Sequence, residues 1–260
     1  MLIATIIFWL GRHKFVHVPA GGWAFVKESM SLEGIRVVCK LIIIYIFVAM
    51  FWSLFDQTGS SWVLQAEKMN LNWLGINWLP SQLQAANPML IMIFIPLFTS
   101  VIYPLANKVV NVTPLRKISA GFFIAATSFA LAAWNQTRIA AGLSPSIGWQ
   151  ALCYVIITAA EVLVSITCLE FSYTQAPTKM KSFIMAIFML SISIGNAFTA
   201  IVNAVIQSRH GATMLAGPNY YWFFTGMMLV TAVIFVFVAM AYRPRNYIQQ
   251  EAAVEPAVSS

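Results

Sequence analysis

Charge is what this sequence has least of. Only 9% of its 260 residues are charged, and Asp and Glu together number 8, against about 25% charged residues in an ordinary soluble domain. That excludes a water-soluble globular fold and leaves no room for a soluble catalytic domain. Cysteine is scarce as well: Cys39, Cys153 and Cys168 are odd in number and lie in apolar stretches, which speaks against a disulfide framework and a metal site. The sequence has no H-E-x-x-H and no G-x-S-x-G, and His13, His17 and His210 all fall outside the apolar runs, so an intramembrane enzyme is disfavoured. No short-period repeat is visible, and the only biased segment is the Ala-rich polar tail from Gln249 to Ser260, which is expected to be disordered.

What the chain has instead is apolar length. Sixty per cent of it is apolar and 14% aromatic, with a mean hydropathy of +0.79. A membrane-crossing helix needs about 20 apolar residues, and runs too long for strands occur at about 41–55, 88–106, 118–134, 151–171, 183–206 and 220–241. Six spanning helices are predicted, the first extending beyond its apolar stretch on both sides. Leu2 to Leu10 is too short to span and has its basic flank, Arg12 and Lys14, on the wrong side for a secretory signal. We read it as the inner end of a span whose beginning lies upstream. The expected organisation is a truncated helix end over 1–12, a cytoplasmic linker over 13–36, a six-helix bundle over 37–243 and a tail over 244–260.

The net charge of +7 reflects cytoplasmic loops rather than nucleic-acid binding. With the Arg12 segment inside, Lys14, Lys27, Arg36, Lys40, Lys108, Arg116, Lys117, Lys179, Lys181, Arg243 and Arg245 also fall inside, and only Lys68, Arg138 and Arg209 fall outside. The positive-inside rule thus sets the orientation and a cytoplasmic C-terminus. Trp62, Trp73 and Trp78 in the outer loop suit an interfacial aromatic belt.

Acidic residues inside spans each need a reason, because one at a helix centre costs about 2.5–3.5 kcal/mol on insertion scales. Glu161 and Glu170 share one run, nine residues apart. At about 100° per residue a regular helix sets them on opposite faces and about 13 Å apart, too far for a carboxylate pair. Asp56 ends the first span, as an interfacial cap or as a functional acid. In the fifth span Ser191, Gly195, Thr199 and Asn203 recur at i+4 beside Asn196, Ala200 and Ala204, either a helix-packing seam or the lining of a wet cavity. Pro88, Pro96 and Pro104 mark the second span as bendable.

The string Leu169-Glu170-Phe171-Ser172-Tyr173-Thr174-Gln175-Ala176-Pro177, followed by Met180-Lys181-Ser182 and Ile194-Gly195-Asn196, resembles the signature of the proton-dependent oligopeptide transporter family. Phe51-Trp52-Ser53-Leu54-Phe55-Asp56-Gln57-Thr58-Gly59-Ser60 resembles that family's seventh helix, Asn87-Pro88 and Tyr103-Pro104 its eighth, and Trp9 to Pro19 the exit from its sixth. The resemblance implies an all-α integral membrane protein: the six-helix C-terminal half of a major facilitator fold, with a stub of the sixth helix. It implies that Glu170 meets the peptide amino terminus and exchanges a cross-bundle basic partner for substrate. By the same resemblance Trp52, Asn87 and Thr174 line the pocket, Phe188 stands where many relatives carry Trp, and Lys40 and Pro177 serve coupling and gating. The acidic partner some relatives pair with the Lys40 position is replaced here by Thr99. The family's first-helix E-x-x-E-R-F motif is absent, and 19–36 is too short for the two extra helices of many bacterial members.

The implied function is proton-coupled symport of di- and tripeptides in a bacterial cytoplasmic membrane, with no cofactor beyond the co-transported proton. The implied partners are small peptides, the lipid bilayer and an N-terminal six-helix half, without which the chain is expected to be inactive. Alternatives are a non-transporting membrane component, a split half that docks with a separate partner, or a carrier of other small solutes.

Overall fold

The structure is a computed structural model that describes residues 2–12, 22, 27, 29–177, 180–208 and 217–242. The predicted tail and most of the 13–28 stretch lie outside the described residues. Among the described residues six helical spans are long and apolar enough to cross a membrane, Leu32–Gly59, Gln82–Asn107, Pro114–Ala140, Gly148–Gln175, Lys181–Ile206 and Pro218–Ala241. Ahead of them α1 (Leu2–Gly11) is a short exposed helix.

Local chemistry sets the ends of these helices. α2 (Leu32–Phe55) starts behind Ser31, whose hydroxyl accepts the Gly34 N–H at 3.0 Å, satisfying one of the free amides of a first turn. It therefore begins ahead of residue 37, where the sequence placed the bundle. The chain continues as a 3-10 turn (Asp56–Gly59), breaks at Ser60 (φ −131°, ψ −87°) and folds into the short α3 (Ser61–Ala66). A two-residue hairpin follows, β1 (Asn72–Trp73) against β2 (Ile76–Asn77), with Leu74 and Gly75 both at positive φ, as a tight primed turn requires. Asn70 ties this segment to the 145–147 loop through two backbone hydrogen bonds of 2.9 Å. We call this side of the bundle the hairpin end and the opposite side, which carries Lys108, Arg116, Lys117 and Lys181, the basic end.

Two spans are interrupted by a widened π turn. In the second, α4 (Ala86–Leu97) passes through the π turn Phe98–Ile102 into α5 (Tyr103–Asn107). Pro104 gives the reason: in a regular helix its ring would meet the carbonyl four residues back, inside that turn. Thr99 Oγ1 donates to the carbonyls of Ile95 and Pro96 at 2.9 and 3.2 Å. The third span, α6 (Pro114–Ala140), is unbroken, capped by Thr113 with Pro114 at its first position. In the fourth, α7 (Gly148–Glu161) runs through the π turn Val162–Ile166 into α8 (Thr167–Gln175). α8 stops because Ala176, preceding Pro177, is driven into an extended conformation (φ −96°, ψ 130°). α9 (Lys181–Ser208) and α10 (Pro218–Ala241) complete the bundle.

α10 packs most extensively on α6, α2 on α9, and α6 on α7. Inside a bilayer apolar burial gives little drive for helix association, so close approach carries it. A Cβ on Gly195 of α9 would lie 2.9 Å from Ser53 N and 3.0 Å from Trp52 Cβ, and Thr199 Oγ1 donates to the Ser53 carbonyl at 2.9 Å. The Ser191, Gly195, Thr199 stripe is thus a packing seam against α2. On the other side, a Cβ on Gly121 would lie 2.5 Å from Val164 and 3.0 Å from Leu163, so α6 presses its backbone on the second π turn. Phe98, Val162 and Leu163 form a separate apolar cluster, which sets the two π turns against each other.

Trp62 does not sit in an interfacial belt. The break at Ser60 turns it inward, where it is fully buried between Phe129 and Tyr154, with ring centroids at 5.4 and 5.2 Å. Trp73 and Trp78 stay half-buried beside the hairpin, joined by a hydrogen bond from Trp78 Nε1 to the Trp73 carbonyl. Cys39, Cys153 and Cys168 are all free thiols.

Candidate functional site

Four spans bring polar side chains together toward the hairpin end. Asn87, in the first turn of α4, directs its Nδ2 to Glu161 Oε2 at 2.8 Å and to Thr158 Oγ1 at 3.1 Å. Thr158 and Glu161 are one turn apart on α7, so one carboxamide reads both. Asn196 of α9 lies within reach of the Asp56 carboxylate at the end of α2, and Asp56 and Glu161 are close enough to act on each other electrostatically. The result is two carboxylates and two carboxamides from four helices. Asp56, Asn87 and Glu161 are half-buried and Asn196 is exposed. No described cation forms an ion pair with either acid. Trp52 lies beside this group on α2, 8% exposed, and its indole Nε1 is buried without a hydrogen-bond partner.

Glu170 is elsewhere. It is exposed on α8, past the second π turn, within electrostatic reach of Tyr103, and the ammonium of Lys117 stacks 3.8 Å above the Tyr103 ring. The structure thus pairs Asn87 with Glu161 and places Glu170 toward the basic end. It also overturns the opposite-face arrangement of the two glutamates, because Glu161 and Glu170 both address the Gln82–Asn107 span. The π turn between them holds about one residue more per turn than a regular helix, which rotates everything downstream by about 100°. Their separation along the helix keeps them from forming a pair; the paired carboxylates are Asp56 and Glu161.

The remaining expected residues scatter. Thr174 donates to the Phe171 carbonyl at 2.8 Å and lines a cavity of about 1020 Å³ at the basic end, between the ends of α6, α8 and α10, together with Arg116, Phe171, Gln175 and Tyr242. Phe188 is 2% exposed, its ring edge-on to Tyr45 at 5.8 Å, which makes it a core residue in this conformation rather than a cavity wall. Lys40 lies 5.8 Å from the Tyr242 ring centroid. Pro177 is buried, and its carbonyl accepts the Met180 N–H at 2.9 Å. Asp56 and Asn196, whose roles the sequence left open, are members of the polar group. The signal that points to Glu161 is the Asn87–Glu161 contact, invisible without the fold.

Comparison with known proteins agrees with this architecture. Residues 23–223 match the family described as the POT family. Solute carrier family 15 member 2 of Oryctolagus cuniculus is 41% identical over 150 residues, covering 56% of this chain and 20% of its own length. The peptide transporter PTR2 of Saccharomyces cerevisiae is 29% identical over 226 residues, covering 82% of this chain and 35% of its own. This chain therefore spans about a third or less of the length of these curated relatives. Among solved structures, an auto-inhibited POT family peptide transporter superposes with a TM-score of 0.73 at 33% identity, covering 82% of this chain and 43% of that one. The POT family transporter PepTSo superposes at 0.75 and 27% identity, covering 93% and 63%. Multi-pass helical architecture, a family match over most of the chain and superposition on transporters of known structure give one conclusion: the chain belongs to the POT family, whose members are transporters rather than enzymes.

Proposed function

We propose that this chain forms the C-terminal six-helix half of a proton-coupled carrier of small peptides. Its contribution to the substrate cavity is the group Asp56, Asn87, Glu161 and Asn196, with Trp52 beside it. The observation that carries this reading is the convergence of two carboxylates and two carboxamides from four spans of an otherwise apolar bundle. Burying such groups in a membrane is costly unless they line a wet pathway or bind something. A peptide supplies the complement: its ammonium faces Glu161, its amide groups meet Asn87 and Asn196, and a carbonyl accepts from the free Trp52 indole. The spans Gln82–Asn107 and Lys181–Ile206 are the least buried of the six and supply Asn87 and Asn196, which suits faces that a second six-helix half covers. Glu170, beside Tyr103 and Lys117, belongs on this reading to a gate at the cytoplasmic end, with Lys40 and Pro177, rather than to the peptide site.

The test compares two variants in the full-length transporter that carries this segment. Glu161→Gln is expected to weaken dipeptide binding at least about tenfold, the loss of about 1.4 kcal/mol. Glu170→Gln is expected to leave binding within about threefold while slowing transport. Tenfold weaker binding in Glu170→Gln with normal binding in Glu161→Gln would return the substrate contact to Glu170.

A further inference from the structure

At the hairpin end, away from the polar group just described, four buried polar atoms have no partner in the protein. They are Trp62 Nε1, Gln65 Oε1, Asn135 Oδ1 and Gln150 Oε1, on residues that are 0, 2, 0 and 1% exposed. Their contacts close a ring. Gln65 Nε2 donates to the Ala132 carbonyl at 3.0 Å, one turn before Asn135 on α6. Asn135 Nδ2 contacts Cys153 Sγ at 4.0 Å, one turn after Gln150 on α7. Gln150 Nε2 donates to the Trp62 carbonyl, one turn before Gln65 on α3. Three elements, each contributing two residues one turn apart, are therefore linked in a ring, and all four orphaned atoms belong to residues of that ring. The amide orientations of Gln65 and Gln150 are fixed, because their nitrogens face carbonyl oxygens.

We infer that this ring encloses a binding site for two ordered waters shared by Trp62, Gln65, Asn135 and Gln150. An empty or apolar space leaves four buried polar groups unsatisfied, which is costly for each of them. A monovalent cation suits three amide oxygens but cannot accept from the Trp62 N–H. Two waters close the account: one accepts from Trp62, three of their four O–H groups reach the three amide oxygens, and the fourth joins the waters to each other. The waters thereby hold α3 to α6 and α7, alongside the hydrogen bonds from Tyr154 to the Thr58 carbonyl at 2.7 Å and from Tyr221 to the Ser61 carbonyl at 2.8 Å. This site is independent of the transport reading.

Radiolytic hydroxyl labelling tests it, since radicals generated from a bound water modify the side chains that touch it. In the intact protein in lipid, Trp62 is expected to be modified, after correction for intrinsic reactivity, at least about fivefold faster than the equally buried Phe122 and Phe235. The double substitution Gln65→Met with Gln150→Met should remove that excess. A Trp62 rate equal to that of Phe122, or an excess unchanged in the double variant, overturns the proposal. If the double variant fails to fold, density for the unmodified protein decides. Two peaks at hydrogen-bond distance from the four atoms support it; an empty space, or a peak that rubidium replaces, overturns it.

Discussion

Asn87 and Glu161 are joined by a 2.8 Å hydrogen bond between two spans that each widen into a π turn further along. The bond holds the hairpin-end segments of both helices together at a point where their regular geometry is still intact. Removing either partner has a cost that depends on the other. Asn87→Ala and Glu161→Gln, measured singly and together by peptide affinity in the full transporter, are expected to show a coupling of about 1–2 kcal/mol. Additive effects would mean that the two side chains act separately.

Gly195 sets how closely α9 crosses α2. Gly195→Ala places a methyl against the Ala49 carbonyl and within 3.0 Å of the Trp52 side chain, and neither backbone can yield cheaply. A loss of about 1–3 kcal/mol is expected, read as a lowered unfolding temperature in detergent. Gly226→Ala on α10, where an added methyl meets nothing within 4 Å, is the matched control and is expected to be neutral or slightly stabilising. Equal losses at both positions would refute the crossing geometry.

The second π turn is what places Glu170 toward Tyr103. Deleting Ser165 from it should restore a regular helix and turn α8 by about 100°. In a background without native cysteines, Cys at 170 and at 103 should be joined by a short thiol crosslinker, and the deletion should abolish the crosslink while the Asn87–Glu161 contact survives. A crosslink that persists in the deletion variant would show that the turn does not control the facing of Glu170.

The orientation inferred from the basic residues is open to thiol labelling once exposed Cys39 is replaced by Ser. Leu74→Cys and Leu143→Cys are expected to react with a membrane-impermeant reagent from outside, and Val109→Cys, at a position 85% exposed, only after the membrane is opened. Reversed accessibility would invert the bundle.

The six spans were legible because apolar length and basic flanks are additive along the chain, and the family was legible in the Leu169–Pro177 string. The site was legible only in part. Asn87 and Trp52 lie at or beside the polar group, but a regular 3.6-residue period misplaces the facing of Glu170 relative to Glu161. A π turn, packed against Gly121 and containing no proline, interrupts that period between Glu161 and Glu170. Trp62 differs from its expected place for a related reason: an aromatic residue reads the same whether it faces an interface or a core partner such as Phe129. The partner comes from tertiary structure.

The π turn also divides mechanical responsibility within one span. Glu161 is anchored to α4 through Asn87 on one side of it, while Glu170 is carried by α8 on the other. Because the π turn interrupts the regular helix between them, it is the natural pivot for any swing or twist of α8 that leaves Glu161 in place. A single helix can in this way serve as two levers with a shared pivot. On the proposed function, the basic end is then free to open while Glu161, the carboxylate proposed to meet the peptide, stays still.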